Sequence, residues 1–167
     1  MSEINKFSAY VRKHYYAHKN TTNPTWVGMI RSFKRIYSPT SVDHLIYFAK
    51  AEAPISDINC LVAYMLSKDV IAIEGGVSVG KAFNLTERNE KYVHGLLSLS
   101  TNRLLPKLKS FTSLIRSNNV KLNIDSLMRD LHSWDSQCKS SNRNWVKRQW
   151  AQDFARSTKQ GDSDVSE

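Results

Sequence analysis

Ile124, Leu127, Met128, Leu131, Trp134 and Cys138 follow Asn123 at intervals of three and four residues. A helix repeats about every 3.6 residues, so this spacing puts all six on one narrow apolar stripe. A half-buried strand would alternate instead. The helical period recurs along most of the chain. Residues 3–18 carry Ile4, Phe7, Tyr10, Val11 and Tyr15. Pro24, in a first turn after Asn23, opens a helix over 24–37 with Trp26, Met29, Ile30, Phe33 and Tyr37 on one side. A short helix carries Val42, Leu45, Ile46 and Ala49. The next opens at Pro54 and aligns Ile55, Ile58, Leu61, Val62, Met65 and Leu66. Thr86 is placed to cap a helix bearing Tyr92, Val93, Leu96 and Leu97. Over 101–117, Leu104, Leu108, Phe111 and Ile115 share a face. Pro106 sets the expected start of that helix near residue 103, because proline fits the first turn best. Asn142 begins a last helix with Val146, Trp150 and Phe154.

The expected fold is therefore all-α: a compact bundle of seven to nine helices, with one short strand or hairpin near 70–77. The 167 residues suit one helical domain over 1–157, built as two halves joined near 68–80. Residues 158–167 are polar and read as a disordered acidic tail. No apolar run reaches the length of a membrane span, and the N-terminus MSEINKFSAYVRKHYY has no signal-peptide core. The expectation is a cytoplasmic protein. Cys60 and Cys138 lie within apolar helical patterns and read as buried free thiols.

G-G-V-S-V-G-K-A-F, residues 75–83, contains the G-x-x-x-x-G-K spacing of a phosphate loop. The hydroxyl that should follow the lysine and ligate magnesium is replaced by Ala82. The neighbouring segments supply helices and no parallel sheet. A turn at Gly75 and Gly76 followed by a helix capped by Ser78 fits better, with Lys81 facing outward. His14 and His18 are one helical turn apart but lack a third ligand. The acids form no two-metal cluster, and no nucleophile, base and orienting group stand together. The expectation is a protein that is not an enzyme and needs no cofactor or metal.

Twenty-four Lys and Arg face fifteen acids, a net charge of +9. Three of those acids fall in the last eight residues, so residues 1–159 carry a surplus of twelve. Such an excess points to a polyanionic partner. The cations fall on expected helices, away from the apolar stripes. Arg31, Lys34 and Arg35 occupy one; Arg103, Lys107 and Lys109 a second; Arg143, Lys147 and Arg148 the last. With Lys81 they form a candidate phosphate-tracking surface. Contacts of this kind hold backbone and carry no sequence information. A helix-turn-helix regulator fits the same basic, helical composition, with Arg143, Asn144 and Gln149 as candidate base readers. So does an adaptor whose basic face meets acidic protein.

G-V-S-V-G-K-A-F at 76–83 resembles a turn-and-helix element of the CasB family, the small subunit of the type I-E CRISPR surveillance complex, Cascade. The similarity continues at N-E-K-Y-V-H-G-L-L, 89–97, at P-K-L-K-S-F, 106–111, and at W-V-K-R-Q-W-A-Q-D-F, 145–154. W-V-G-M-I-R-S-F-K-R at 26–35 agrees more loosely. Where the family often places an arginine, a small residue and Asp after L-L, this chain reads Ser98, Leu99, Ser100. The resemblance implies a helical, non-catalytic subunit that assembles with the complex's backbone and large subunits and with a second copy of itself. It further implies contact with crRNA and with both strands of target DNA, through the guide–target heteroduplex and the displaced strand. Under this reading Arg103, Lys107 or Lys109 would compensate for the charge missing at 98–100.

Overall fold

In a computed structural model, the structure describes Ala9, residues 56–134 and residues 145–162. The chain divides into two compact units, Met1–Asp69 and Val70–Glu167. The helices expected over 3–18, 24–37 and 42–49 lie outside the described residues. Among the described residues there are six helices and one two-residue strand pair, a mostly helical architecture.

In the first unit, α1 spans Asp57–Ser67. Ser56 caps it by accepting a hydrogen bond from the Asn59 N–H at 3.1 Å. Cys60, Leu61, Val62, Met65 and Leu66 are buried, following the spacing of the sequence. Burial pushes the Cys60 thiol up to about 12, with the Asp57 charge adding to the effect. A thiol held protonated in this way is no nucleophile.

The second unit begins with β1, Ile71–Ala72. A strand was expected here, but its partner is not local. It pairs in parallel with β2, Leu122–Asn123, in the register Ile71 with Leu122 and Ala72 with Asn123. The 49 residues between the strands, 73–121, include three helices and make the crossover that a parallel pair requires. Gly75 and Gly76 follow with φ of 71° and 84°. These are left-handed values that glycine adopts without a Cβ penalty. The turn is pinned from below. The Val77 N–H donates to Lys121 O at 2.9 Å, and the Asn123 side-chain amide donates to Gly75 O at 2.7 Å.

α2, Val79–Leu85, starts at Ser78, whose hydroxyl accepts from the Lys81 N–H at 3.2 Å. Thr86 closes this helix and does not open the next. Its hydroxyl turns back to donate to Ala82 O at 2.7 Å, so it cannot serve as an N-cap. The cap of α3, Glu90–Leu97, is Asn89, which accepts from the Tyr92 N–H at 2.8 Å. α4, Thr101–Ser117, starts two residues before the position Pro106 was expected to impose. Arg103 and Leu104 N–H groups both close on Ser100 O, so the helix forms upstream of the proline and continues through it. α5, Ile124–Ser133, is capped by Asn123, as its pattern predicts. α6 spans Trp145–Asp162 and so continues into the stretch read as a tail. Residues 135–144, with the expected start at Asn142, lie outside the described residues.

α2 packs closely along α6. The contact is set by Gly80: a Cβ there would fall 2.3 Å from Trp150 O and 2.8 Å from its Cα. Around this seam lies an aromatic core. Phe83, Phe111, Trp134 and Trp150 are all buried. The Phe83 ring lies 5.2 Å from Phe111 and 6.0 Å from Trp150, and Trp134 lies 4.7 Å from Trp150. Pairs in this range add about 0.5–1.5 kcal/mol beyond area burial.

Gly80→Ala is expected to destabilise the protein by about 1–3 kcal/mol, because the colliding atoms are backbone. Gly75→Ala meets nothing within 4 Å and suffers only the strain of its positive φ. Urea denaturation of the two variants checks the order: equal stabilities would show that the α2–α6 seam does not require a glycine.

Candidate nucleic-acid interface

The glycine-rich stretch at 75–83 is built for packing. A phosphate cradle needs free, convergent amides at a helix start. Here the Val77 amide is bonded to Lys121 O, the Lys81 amide to Ser78, and the Ala82 amide to Ser78 O at 3.0 Å. Gly80, the second glycine of the motif, faces Trp150. Lys81 stands exposed on α2.

The other candidate cations divide by helix. On α4, Arg103 and Lys107 are one turn apart, both exposed, so they share one face. Leu104, Leu105, Leu108, Phe111 and Ile115 hold the helix down from the opposite side. Lys109 is half-buried and set well around the helix from that pair. Arg116, exposed, lies in the last turn of the helix. On α6, Arg148 is exposed, whereas Lys147 is half-buried with its ammonium 5.1 Å from the centre of the Trp134 ring. Arg31, Lys34, Arg35 and Arg143 lie outside the described residues. The structure thus brings Arg103 and Lys107 together and leaves Lys81, Lys109, Lys147 and Arg148 on separate faces or helices.

Two further cations escape a reading based on charge clusters. Lys91 is exposed on α3 and lines a groove with Lys107 of α4. Its signal was positional: it precedes the buried Val93 and Leu96 and falls off their stripe. Arg129 on α5 has its guanidinium 5.6 Å from the centre of the Trp145 ring. Trp145 is 39% exposed, unlike the buried Trp134 and Trp150.

Arg129 also pairs at 3.2 Å with Asp130, a carboxylate almost wholly buried. The second Asp130 oxygen accepts from the Trp150 indole N–H at 2.8 Å. Trp134 N–H reaches Leu99 O at 2.8 Å, tying the α3–α4 turn to the end of α5. Desolvation holds the Asp130 carboxyl above the usual carboxylate range, opposed by the bond from Trp150 and the charge of Arg129. Burial likewise raises the Tyr92 phenol, against the nearby Arg88. These groups organise the interior. Among the described residues, no three His, Cys, Asp or Glu side chains could hold a metal together, and no helix is long and apolar enough to cross a membrane.

The Asp130 carboxyl gives a pH signature with a definite sign. The folded state holds this proton more tightly than the unfolded chain, whose ordinary value is 3.8. Its contribution is therefore greatest at low pH and is lost as pH rises from that value through the elevated one. Asp130→Asn keeps an acceptor for Trp150 and should flatten this component of stability against pH. Asp130→Ala strands the buried indole N–H and should cost about 1–3 kcal/mol. Thermal melts of the three proteins across the acid range check both; an unchanged slope in Asp130→Asn would contradict the assignment.

The fold has relatives among solved structures. It is similar to CasB of M. ruber, with a TM-score of 0.68 and 18% identity over 99% of each chain. It is similar to a chain of a CRISPR RNA-guided surveillance complex, with a TM-score of 0.64 and 14% identity over 99% of this chain and 100% of the other. CasB from Thermus thermophilus gives a TM-score of 0.62 at 18% identity over 93% and 99%. No curated protein matches the chain by sequence. Residues 12–154 match the family model of the CRISPR-associated protein Cse2, and the chain belongs to that family.

Proposed function

We propose that this chain is the non-catalytic small subunit of a type I-E CRISPR RNA-guided surveillance complex, Cascade. The family match over residues 12–154 carries the reading. The similarity in fold to a chain of an RNA-guided surveillance complex is consistent with it. The subunit sits in the cytoplasm beside the backbone and large subunits and a second copy of itself, and meets crRNA and both strands of target DNA. Its cationic helices hold backbone phosphates, stabilising the guide–target heteroduplex and the displaced strand. Guide pairing supplies the choice of sequence, and protein charge lowers the cost of keeping the duplex open.

Arg103 and Lys107 of α4 are the leading contacts, with Lys81 and Arg148 as exposed charges on other helices. Lys109 and Lys147 contribute less because both are half-buried. Arg31, Lys34, Arg35 and Arg143 complete the proposed set. Arginine can grip a phosphate with two parallel bonds, whereas lysine acts as a point charge.

Binding of the full chain to DNA should fall steeply with salt and vary little with sequence. On duplex, each phosphate contact adds about 0.9 to the slope of log affinity against log salt. The double variant Arg103→Ala/Lys107→Ala should lose about two such increments, so its slope is shallower by about 1.8. Fluorescence anisotropy over a salt series checks this. Salt-insensitive binding would contradict the reading. A single strongly preferred duplex site would favour a helix-turn-helix regulator.

A further inference from the structure

An open groove of about 430 Å³ is lined by residues of α3, of α4 and of the loop between them. Tyr92, Gly95, Leu96 and Leu99 line it, with Lys91 from α3 and Lys107 from α4. Its volume lies in the range of small-molecule sites, about 300–1,000 Å³. The lining is held firmly. The Tyr92 ring packs edge-on to Phe83 at 6.0 Å and lies 6.2 Å from Phe111. The Arg88 guanidinium sits 5.4 Å from the same ring. Leu96 is buried, and Leu99 is fixed through its carbonyl by the Trp134 indole.

Gly95 is the informative residue. A glycine inside a helix costs stability relative to alanine. Gly75 and Gly76 are explained by positive φ, and Gly80 by the approach of Trp150. Gly95 has neither reason: its φ is not positive, and a Cβ there would meet nothing within 4 Å. What a side chain at 95 would occupy is the space of the groove.

We infer that this α3–α4 groove receives an unpaired nucleotide of single-stranded DNA, its base over Tyr92, Gly95 and Leu96 and its flanking phosphates at Lys91 and Lys107. The chemistry is that of a single-strand site: an aromatic and apolar floor for a base, with point charges from two helices for the backbone. A duplex offers no free base to enter it. The inference rests on the proposed nucleic-acid function and deepens it, since that reading needs phosphate contacts only. The displaced strand is the DNA whose bases are left unpaired.

The test uses the full chain and an oligothymidylate, compared with the same oligonucleotide carrying a central run of abasic sites. Loss of the bases should weaken wild-type binding about tenfold, the scale of stacking on one aromatic platform. Gly95→Leu, which fills the groove and improves helix propensity, should bind both oligonucleotides equally while keeping the wild-type salt slope on duplex DNA. Gly95→Ala, a smaller filling, should fall between and melt higher than wild type. Equal binding of the two oligonucleotides by wild type, or a base-dependent difference that survives in Gly95→Leu, overturns the inference while leaving salt-dependent duplex binding intact. A base-dependent difference found only with RNA of the same sequence overturns the assignment to DNA. Loss of salt-dependent binding altogether removes the proposed function and this groove with it.

Discussion

The second unit depends on what Trp150 touches. Its indole is fully buried, and each part of it has a partner. Gly80 lets α2 come down onto its backbone. Phe83 and Trp134 pack against the ring, and Asp130 accepts its N–H. One side chain therefore joins α2, α5 and α6. The cost is a carboxylate buried with a single exposed arginine beside it, a tolerable arrangement because both oxygens are bonded. With the interior locked, the outer faces of α3 and α4 are free to carry charge.

Much of this was legible in the residues. Stripes at intervals of three and four gave the helices, and Ser78 and Asn123 announced their caps. Asn123 exceeds its forecast role. It pairs in β2, caps α5 through its side-chain oxygen and donates its amide to Gly75 O. Such a triple use depends on tertiary geometry and leaves no local trace. The parallel partner of β1 was hidden for the same reason. Thr86 and Asn89 are both good caps, and only the backward bond of the Thr86 hydroxyl decides between them. Two helix ends also close without glycine, and only Asn119 of the pair is a residue that commonly marks such an end. Glu87 and Asn119 adopt left-handed φ of 57° and 56°, and the amides after them return to Phe83 O and Ile115 O. These are Schellman closures without the glycine that usually marks them.

The candidate interface was legible in part. Arg103, Lys107 and Lys109 were assigned to one basic helix, and the fold keeps the first two exposed on one face. Lys147 looked equivalent to Arg148, but the Trp134 ring draws it inward. Lys91 was invisible as part of a cluster because its neighbour in space, Lys107, lies on another helix. The phosphate-loop spacing at 75–83 shows the converse. Its glycines answer to backbone strain and close packing, and the shared letters carry no shared chemistry.

The chain belongs to the Cse2 family, and the role proposed for its outward cations is to brace nucleic acid within a larger assembly. The most direct measurement is native purification of the tagged chain, with sequencing of the RNA and identification of the proteins that accompany it. Short RNAs of uniform length with repeat-derived ends, arriving with several other proteins, are the expected result. A chain that emerges alone, or with one recurring duplex DNA site, would contradict the assignment to a surveillance complex.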